Sequence, residues 1–388
     1  MKKVLAMAMA AMLSLSLVAC GGGSTDTKNS EESTSAEDSS ADTADEPEAA
    51  TEEEAAPEAD DVGEETTDAA AGDLRMEMVT DLGGVNDESF NMLAWEGHQQ
   101  AEKDLGIKVG YVESHQESDY ATNLETCYEN GAGLIWGIGF LMKDSVQAAA
   151  EKNPDVQYGL IDDLFEEPIP GNITGITFRE QEPSFMVGYI AAKMSKTGTI
   201  GFVGGMDTPV IERFESGYVA GAKTANKDIN VLINYAESFN DSAKGKAIAQ
   251  KELQDGADVI FHASGASGNG VIEAVVETGK PEEGGAWAIG VDVDQNKLGA
   301  DNVLVSACKT VNEAILVLAR EYAAGTLEGG KNITLGYAED GVFVATTGDH
   351  VPAEIMAEVE AMIKQVTDGE LVIPGTRDEV KTYEASLS

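Results

Sequence analysis

The stretch Thr80-Asp81-Leu82-Gly83-Gly84-Val85-Asn86-Asp87-Glu88-Ser89-Phe90-Asn91 gathers carboxylates, an aromatic ring and a carboxamide between an apolar run and a helical pattern. Asp87 or Ser89 can cap that helix. Phe90 and Asn91 then fall on its first turn. Phe90 either offers a flat stacking wall or packs into the core. Asn91 carries both a donor and an acceptor, enough to read the edge of a heterocycle. A second stretch, Glu237-Ser238-Phe239-Asn240-Asp241, repeats Ser-Phe-Asn further along the chain, again between strand and helix patterns. Two aromatics facing each other across a cleft can hold one planar ring between them.

Three more groups follow apolar runs. Ala263-Ser264-Gly265-Ala266-Ser267-Gly268-Asn269-Gly270 is glycine-rich, which lets backbone approach a ligand closely. No Gly-Lys-Ser/Thr follows it and the spacing misses the dinucleotide fingerprint, so it is neither a P-loop nor a cofactor turn. Asp292 either accepts two hydrogen bonds from a vicinal diol or caps a turn. Lys309 either donates to ribose oxygens or is a solvated charge. Asp162-Asp163 is a further polar pair after a strand pattern.

These residues need a scaffold that brings them together. Short apolar runs alternate with helical patterns of 10–15 residues, which predicts parallel sheets of βαβ units. The first series has strands at 74–80, 109–112, 134–137 and 156–161, with helices at 89–105, 123–130 and 143–152. The second has strands at 199–203, 231–235, 259–262 and 286–289, with helices at 183–194, 210–225, 243–255 and 269–278. Two series imply two doubly wound α/β domains. Ligands of such sheets bind beyond the carboxyl ends of the strands, which is where the groups above fall.

The N-terminus reads as an export signal. Lys2 and Lys3 precede a short apolar run that ends in Leu17-Val18-Ala19-Cys20-Gly21. The run is too short to span a bilayer as a stable helix. Small residues before a cysteine resemble a bacterial lipobox, which implies an acylated Cys20 at the mature N-terminus and a lipid (palmitate-type) anchor on the outer face of the cell membrane. Residues 21–72 hold 18 acidic residues against one lysine, with a single valine as their only large apolar residue. Such a stretch cannot bury enough surface to fold and reads as a disordered acidic tether.

Of the total charge of −45, this tether takes −17 and Lys2 and Lys3 return +2, which leaves −30 on residues 73–388. A body that acidic is unsuited to nucleic acid, whose phosphates need clustered Lys and Arg. Cys127 and Cys308 make neither a disulfide framework nor a zinc site, and read as buried free thiols. His98, His115, His262 and His350 show no metal-ligand spacing.

The stretches 81–95, 178–192, 201–225, 239–249, 262–272 and 289–295 together resemble the basic membrane protein family of bacterial lipoproteins, which are similar to purine-nucleoside receptors of ABC importers. The segment from Gly201 to Tyr218 is the most specific of them. The resemblance implies a type I periplasmic-binding-protein fold: two doubly wound parallel-sheet lobes joined by a hinge. The expected N-terminal lobe is 73–178 with part of 295–345, and the C-terminal lobe 179–294 with part of 346–388. It implies that Phe90 and Phe239 sandwich a base, that Asp87, Asn91 and Asp162 address its edge, and that Gly265, Asp292 and Lys309 hold the ribose. His262, and Ala-Ser-Gly-Ala at 263–266, depart from the family's pattern.

The expected ligand is a purine nucleoside such as guanosine, adenosine or inosine. The expected partners are a permease and an ATPase subunit, with a monomeric receptor and no cofactor, metal or catalysis. Three alternatives stand beside it. The run Asp81–Asp87 faintly resembles the calcium-binding aspartates of nucleoside hydrolases, although Val79 stands where the first aspartate belongs. A sugar or other small ligand would suit the same fold. A surface sensor without an importer is the third.

Overall fold

The computed structural model describes residues 73–387. The signal segment, Cys20 and the acidic tether lie outside these residues.

Among the described residues, twelve strands form two six-stranded sheets. The first contains β1 (Arg75–Val79), β2 (Lys108–Val112), β3 (Leu134–Ile138), β4 (Gln157–Ile161), β5 (Ile173–Phe178) and β11 (Lys331–Leu335), in the spatial order β11-β5-β4-β3-β1-β2. The second contains β6 (Thr199–Gly204), β7 (Asn230–Tyr235), β8 (Val259–Ala263), β9 (Trp287–Asp292), β10 (Val303–Lys309) and β12 (Val342–Ala345), in the order β12-β10-β9-β8-β6-β7. All pairings are parallel except β10 with β12. The chain crosses between the sheets after β5, after β10 and after β11. This is the expected fold class, two doubly wound lobes with crossovers between them.

The central strands β3, β8, β9 and β10 are buried at every residue. That explains their unbroken apolar runs, because helices cover both faces of a parallel sheet. The edge strands β2 and β7 are partly exposed and carry Lys108, Asn230 and Asn234 among their apolar residues. In the first lobe, helix α1 (Phe90–Leu105) follows β1, α2 (Tyr120–Glu129) follows β2 and α3 (Lys143–Lys152) follows β3. Next along the chain, α4 (Gln181–Met194) and α5 (Pro209–Ala225) flank β6. These two pack backbone to backbone: a Cβ at Gly221 would stand 1.9 Å from the Phe185 carbonyl oxygen, and one at Gly188 2.1 Å from that of Tyr218. α6 (Ser242–Gln254) and α7 (Ala266–Val276) complete the second series. Cys127 and Cys308 are separate buried thiols.

The structure departs from the sequence expectations in three places. Strand β5, the crossover helix α8 (Val311–Ala323), β11, β12 and the C-terminal helices α9 (Ala353–Thr367) and α10 (Arg377–Ser386) were not assigned. α7 begins at Ala266, so most of the glycine-rich stretch is helix rather than loop. Asp292 and Lys309 are the last residues of β9 and β10, not residues beyond them. Among the described residues, no helix is long and apolar enough to cross a membrane.

Candidate functional site

A cavity of about 530 Å³ of atom-free space, its open mouth included, lies between the carboxyl ends of the two sheets. Its wall contains Asp87, Phe90, Asn91, Asp162, Phe239, Gly265, Asp292 and Lys309, all eight residues singled out from sequence.

The β1–α1 segment builds one wall. Asp87 is buried and serves as the helix cap: its Oδ1 accepts from the backbone N–H of Ser89 (2.9 Å) and Met92 (3.0 Å), and its Oδ2 from that of Asn91 (2.8 Å). The Asn91 carboxamide donates to Asp87 Oδ2 (3.0 Å) and Asp81 Oδ1 (2.7 Å), and its oxygen accepts from the Asp81 N–H (3.2 Å). Ser89 is thereby released from capping, and its hydroxyl donates across the cleft to Asp292 Oδ2 at 2.6 Å. Asp81 also lines the cavity. Its Oδ1 is engaged by Asn91 and by the N–H of Gly83 (2.8 Å), while Oδ2 lies near the carbon position that a side chain at Gly139 would occupy. Burial pushes the Asp81 carboxyl up to about 7, against the hydrogen bonds from Gly83 and Asn91 that pull it down. Burial also raises Asp87.

The opposite wall comes from β8, β9, β10 and the segment before α6. Lys309, 2% exposed, is ringed by carboxylates: Asp162 at 2.7 Å, Asp292 at 3.7 Å and Glu180 at 3.9 Å. Burial alone would lower the pKa of this ammonium; the three negative charges outweigh it, so the value is raised and the charge persists. Asp292 is pushed up to about 6, chiefly by burial, with Lys309 and Ser89 acting in the other direction. Arg213 pairs with the far side of Glu180 and donates to Thr177 (3.1 Å). The Lys309 ammonium also lies 4.6 Å from the centroid of the Phe90 ring, a cation–π distance. Phe239 is half-buried and meets Phe140 edge-on, with centroids 6.2 Å apart.

Backbone strain is concentrated here. Asp162, Asp292 and Gly265 have φ of 74°, 64° and 54°. Non-glycine residues rarely hold such angles, and they do so where surrounding structure enforces them. The buried Asp162 Oδ1 and Ser264 Oγ have no hydrogen-bond partner among the described residues.

Sequence reasoning missed Asp81 as a lining group, although it stands in the motif already noted. It also missed Phe140, Val210, Ile211, Phe214 and Ser264, which line the same space. Val210, Ile211 and Phe214 sit on the first turns of α5, directly after a strand end. That position, inside the most family-like segment, was the available signal. Glu180 and Arg213 carry no local signature, because Glu180 meets Lys309, and Arg213 meets Glu180, only through the crossover after β5.

The family model described as "ABC transporter substrate-binding protein PnrA-like" matches residues 76–377. The chain is 38% identical over 317 residues to the "ABC transporter nucleoside-binding protein BmpA" of Lactococcus lactis subsp. cremoris, covering 78% of this chain and 89% of that protein. It is 38% identical over 303 residues to "Basic membrane protein A2" of Borrelia garinii subsp. bavariensis, covering 78% and 88%. Among solved structures, an ABC transporter system solute-binding protein from Aeropyrum pernix K1 is 26% identical, with a TM-score of 0.72 over 81% of this chain and 99% of that one.

Proposed function

The chain belongs to the family of PnrA-like ABC transporter substrate-binding proteins, and from that premise we propose that it captures purine nucleosides in the inter-lobe cavity for import. The observation that carries the reading is the wall itself. It offers two phenylalanines from each lobe, Phe90 and Phe140 from the first and Phe214 and Phe239 from the second, with Asp162 and Asp292 beside Lys309 and Asp81 in the same lining. Phe90 and Phe239 receive the flat base. Asp292, Gly265 and Lys309 receive the ribose hydroxyls, which donate to the Asp292 carboxylate and accept from the Lys309 ammonium. Asp162 and the remaining lone pair of the Asn91 carboxamide oxygen meet the base edge. Asp87 acts at one remove, because backbone amides and Asn91 occupy its oxygens and it fixes where Phe90 and Asn91 stand. Asp81 keeps an oxygen for the ligand.

The charge balance selects among ligands. Lys309 and Arg213 are already paired with Asp162 and Glu180 and further acidic groups surround them, so a phosphate group entering the cavity finds no unpaired cation there to offset its desolvation. A neutral nucleoside needs none. The mechanism is a hinged clamp: the ligand binds one lobe, contacts with the other stabilise closure, and the importer's membrane subunits recognise the closed form. No bond is broken. The acylated Cys20 holds the receptor at the outer face of the cell membrane.

Calorimetric titration with inosine, guanosine and adenosine, against ribose and inosine 5′-monophosphate, tests this. Nucleosides bind, and ribose and the monophosphate bind more weakly. Ribose binding better than any nucleoside would establish the sugar reading instead. Incubation with inosine leaves it intact, and release of free base would establish hydrolysis.

A further inference from the structure

Three side-chain carboxamides of the second lobe reach across the cleft to one segment of the first. Asn240 Nδ2 donates to the carbonyl of Leu82 (3.0 Å), Asn269 Nδ2 to that of Asp87 (3.1 Å) and Gln295 Nε2 to that of Glu88 (3.1 Å). Lys297 adds an ion pair with the Glu88 carboxylate at 2.5 Å. None of Asn240, Asn269 and Gln295 lines the cavity. Their acceptors are backbone carbonyls, which any sequence presents, so these bonds report the distance between the lobes rather than the nature of the ligand.

Gln295 is different from the other two. It is fully buried, and its oxygen accepts from the Val291 N–H (2.9 Å) and meets His262 Nε2 (2.9 Å). Because the Gln295 nitrogen is spent on Glu88, its oxygen is the acceptor, and His262 carries its proton on Nε2. The other ring nitrogen, Nδ1, has no partner and lies against Gly268, where a Cβ would stand 1.8 Å away. Both groups that orient the Gln295 oxygen belong to the second lobe. The donor is therefore aimed at the first lobe before the two meet, and little rotamer entropy remains to be lost on closure.

We propose that Asn240, Asn269 and Gln295 form a carboxamide clasp that sets how readily the lobes close, and that buried His262 is the positioning residue that aims Gln295. The clasp rests on the clamp reading above but not on the identity of the ligand. It assigns work to His262, one of the departures from the family's pattern, which the binding site itself leaves unused. A closed form favoured by these bonds raises the affinity of every ligand the cavity accepts, since apparent affinity scales with the competent population.

The test combines inosine binding, stopped-flow dissociation and small-angle X-ray scattering of the full chain with and without inosine. Asn269→Ala and Gln295→Leu each weaken binding about fivefold, the worth of one hydrogen bond, with the loss in the dissociation rate. Asn240→Ala/Asn269→Ala together scatter as a more extended particle than the native protein. His262→Asn loses as much affinity as Gln295→Leu, and the double variant loses no more than either alone. Native affinity and native scattering in Asn240→Ala/Asn269→Ala would overturn the clasp. Additive losses from His262→Asn and Gln295→Leu would overturn the positioning role. Should the native protein bind no nucleoside, the functional reading fails, and the scattering comparison still decides the clasp.

Discussion

The tripeptide Ser-Phe-Asn occurs on both walls of the cavity and does different work on each. At 89–91 the helix begins at Phe90, so Asn91 is inside it and Phe90, 9% exposed, is anchored in the first lobe's core. Asn91 is locked to Asp81 and Asp87, and only Ser89 reaches across the cleft. At 238–240 the helix begins later, at Ser242, with Asp241 capping it by accepting from the Lys244 N–H (3.0 Å). The tripeptide is therefore loop. Ser238 donates locally to Asn240 Oδ1 (2.9 Å), and Asn240 is the residue that crosses. A shift of three residues in helix start turns one copy into a rigid floor and the other into an adaptable rim.

The largest effect separates the walls by their charge. Lys309→Met strands Asp162, Asp292 and Glu180 without their shared cation, and thermal unfolding should show a loss of about 3–5 kcal/mol. The two phenylalanines come next. Phe90→Ala should lower stability by about 3–5 kcal/mol as well as binding. Phe239→Ala should weaken nucleoside binding by about 1–3 kcal/mol and leave the melting temperature nearly unchanged. Equal stability losses from both would erase the distinction between floor and rim.

The asparagines follow the same division. Asn91→Ala leaves Asp81 and Asp87 under-bonded and should cost about 1–3 kcal/mol of stability in denaturant titrations. Asn240→Ala should cost about 1 kcal/mol of binding and no measurable stability. The smallest effect is pH dependence in the floor. Folded Asp81 sits at about 7, above the 3.8 of the ordinary carboxyl. Its contribution to stability is complete below 3.8 and is lost as pH rises through about 7, because the folded state holds the proton longer. Discounted for its partial exposure, the linkage is worth about 1 kcal/mol. Asp81→Asn should flatten that part of the profile of melting temperature against pH.

Much of this architecture was legible because buried parallel strands leave unbroken apolar runs and their carboxyl ends mark the ligand side. That rule puts Phe239, Gly265, Asp292 and Lys309 after strand patterns, and the family resemblance assigns them to one site. What resisted reading depended on contacts between distant segments. Asp87 and Ser89 are both candidate caps in sequence, and only the helix start at Phe90 decides that Asp87 caps while Asp81 keeps an oxygen toward the cavity. β5 reads Ile-Thr-Gly-Ile-Thr-Phe, too broken by Gly175 to signal a buried strand, yet every residue of it is buried. Glu180 follows it into the crossover and finds Lys309 only in the fold. Gly268 and Gly270 promised a ligand loop, but they let α7 pack against His262 and the carbonyl of Ser242.

The most direct test is a crystal structure of the protein grown with inosine. The purine ring should lie between the side chains of Phe90 and Phe239, with ribose hydroxyls on Asp292 and Lys309. A base lying outside that gap, with either ring turned into its own lobe, would contradict the account.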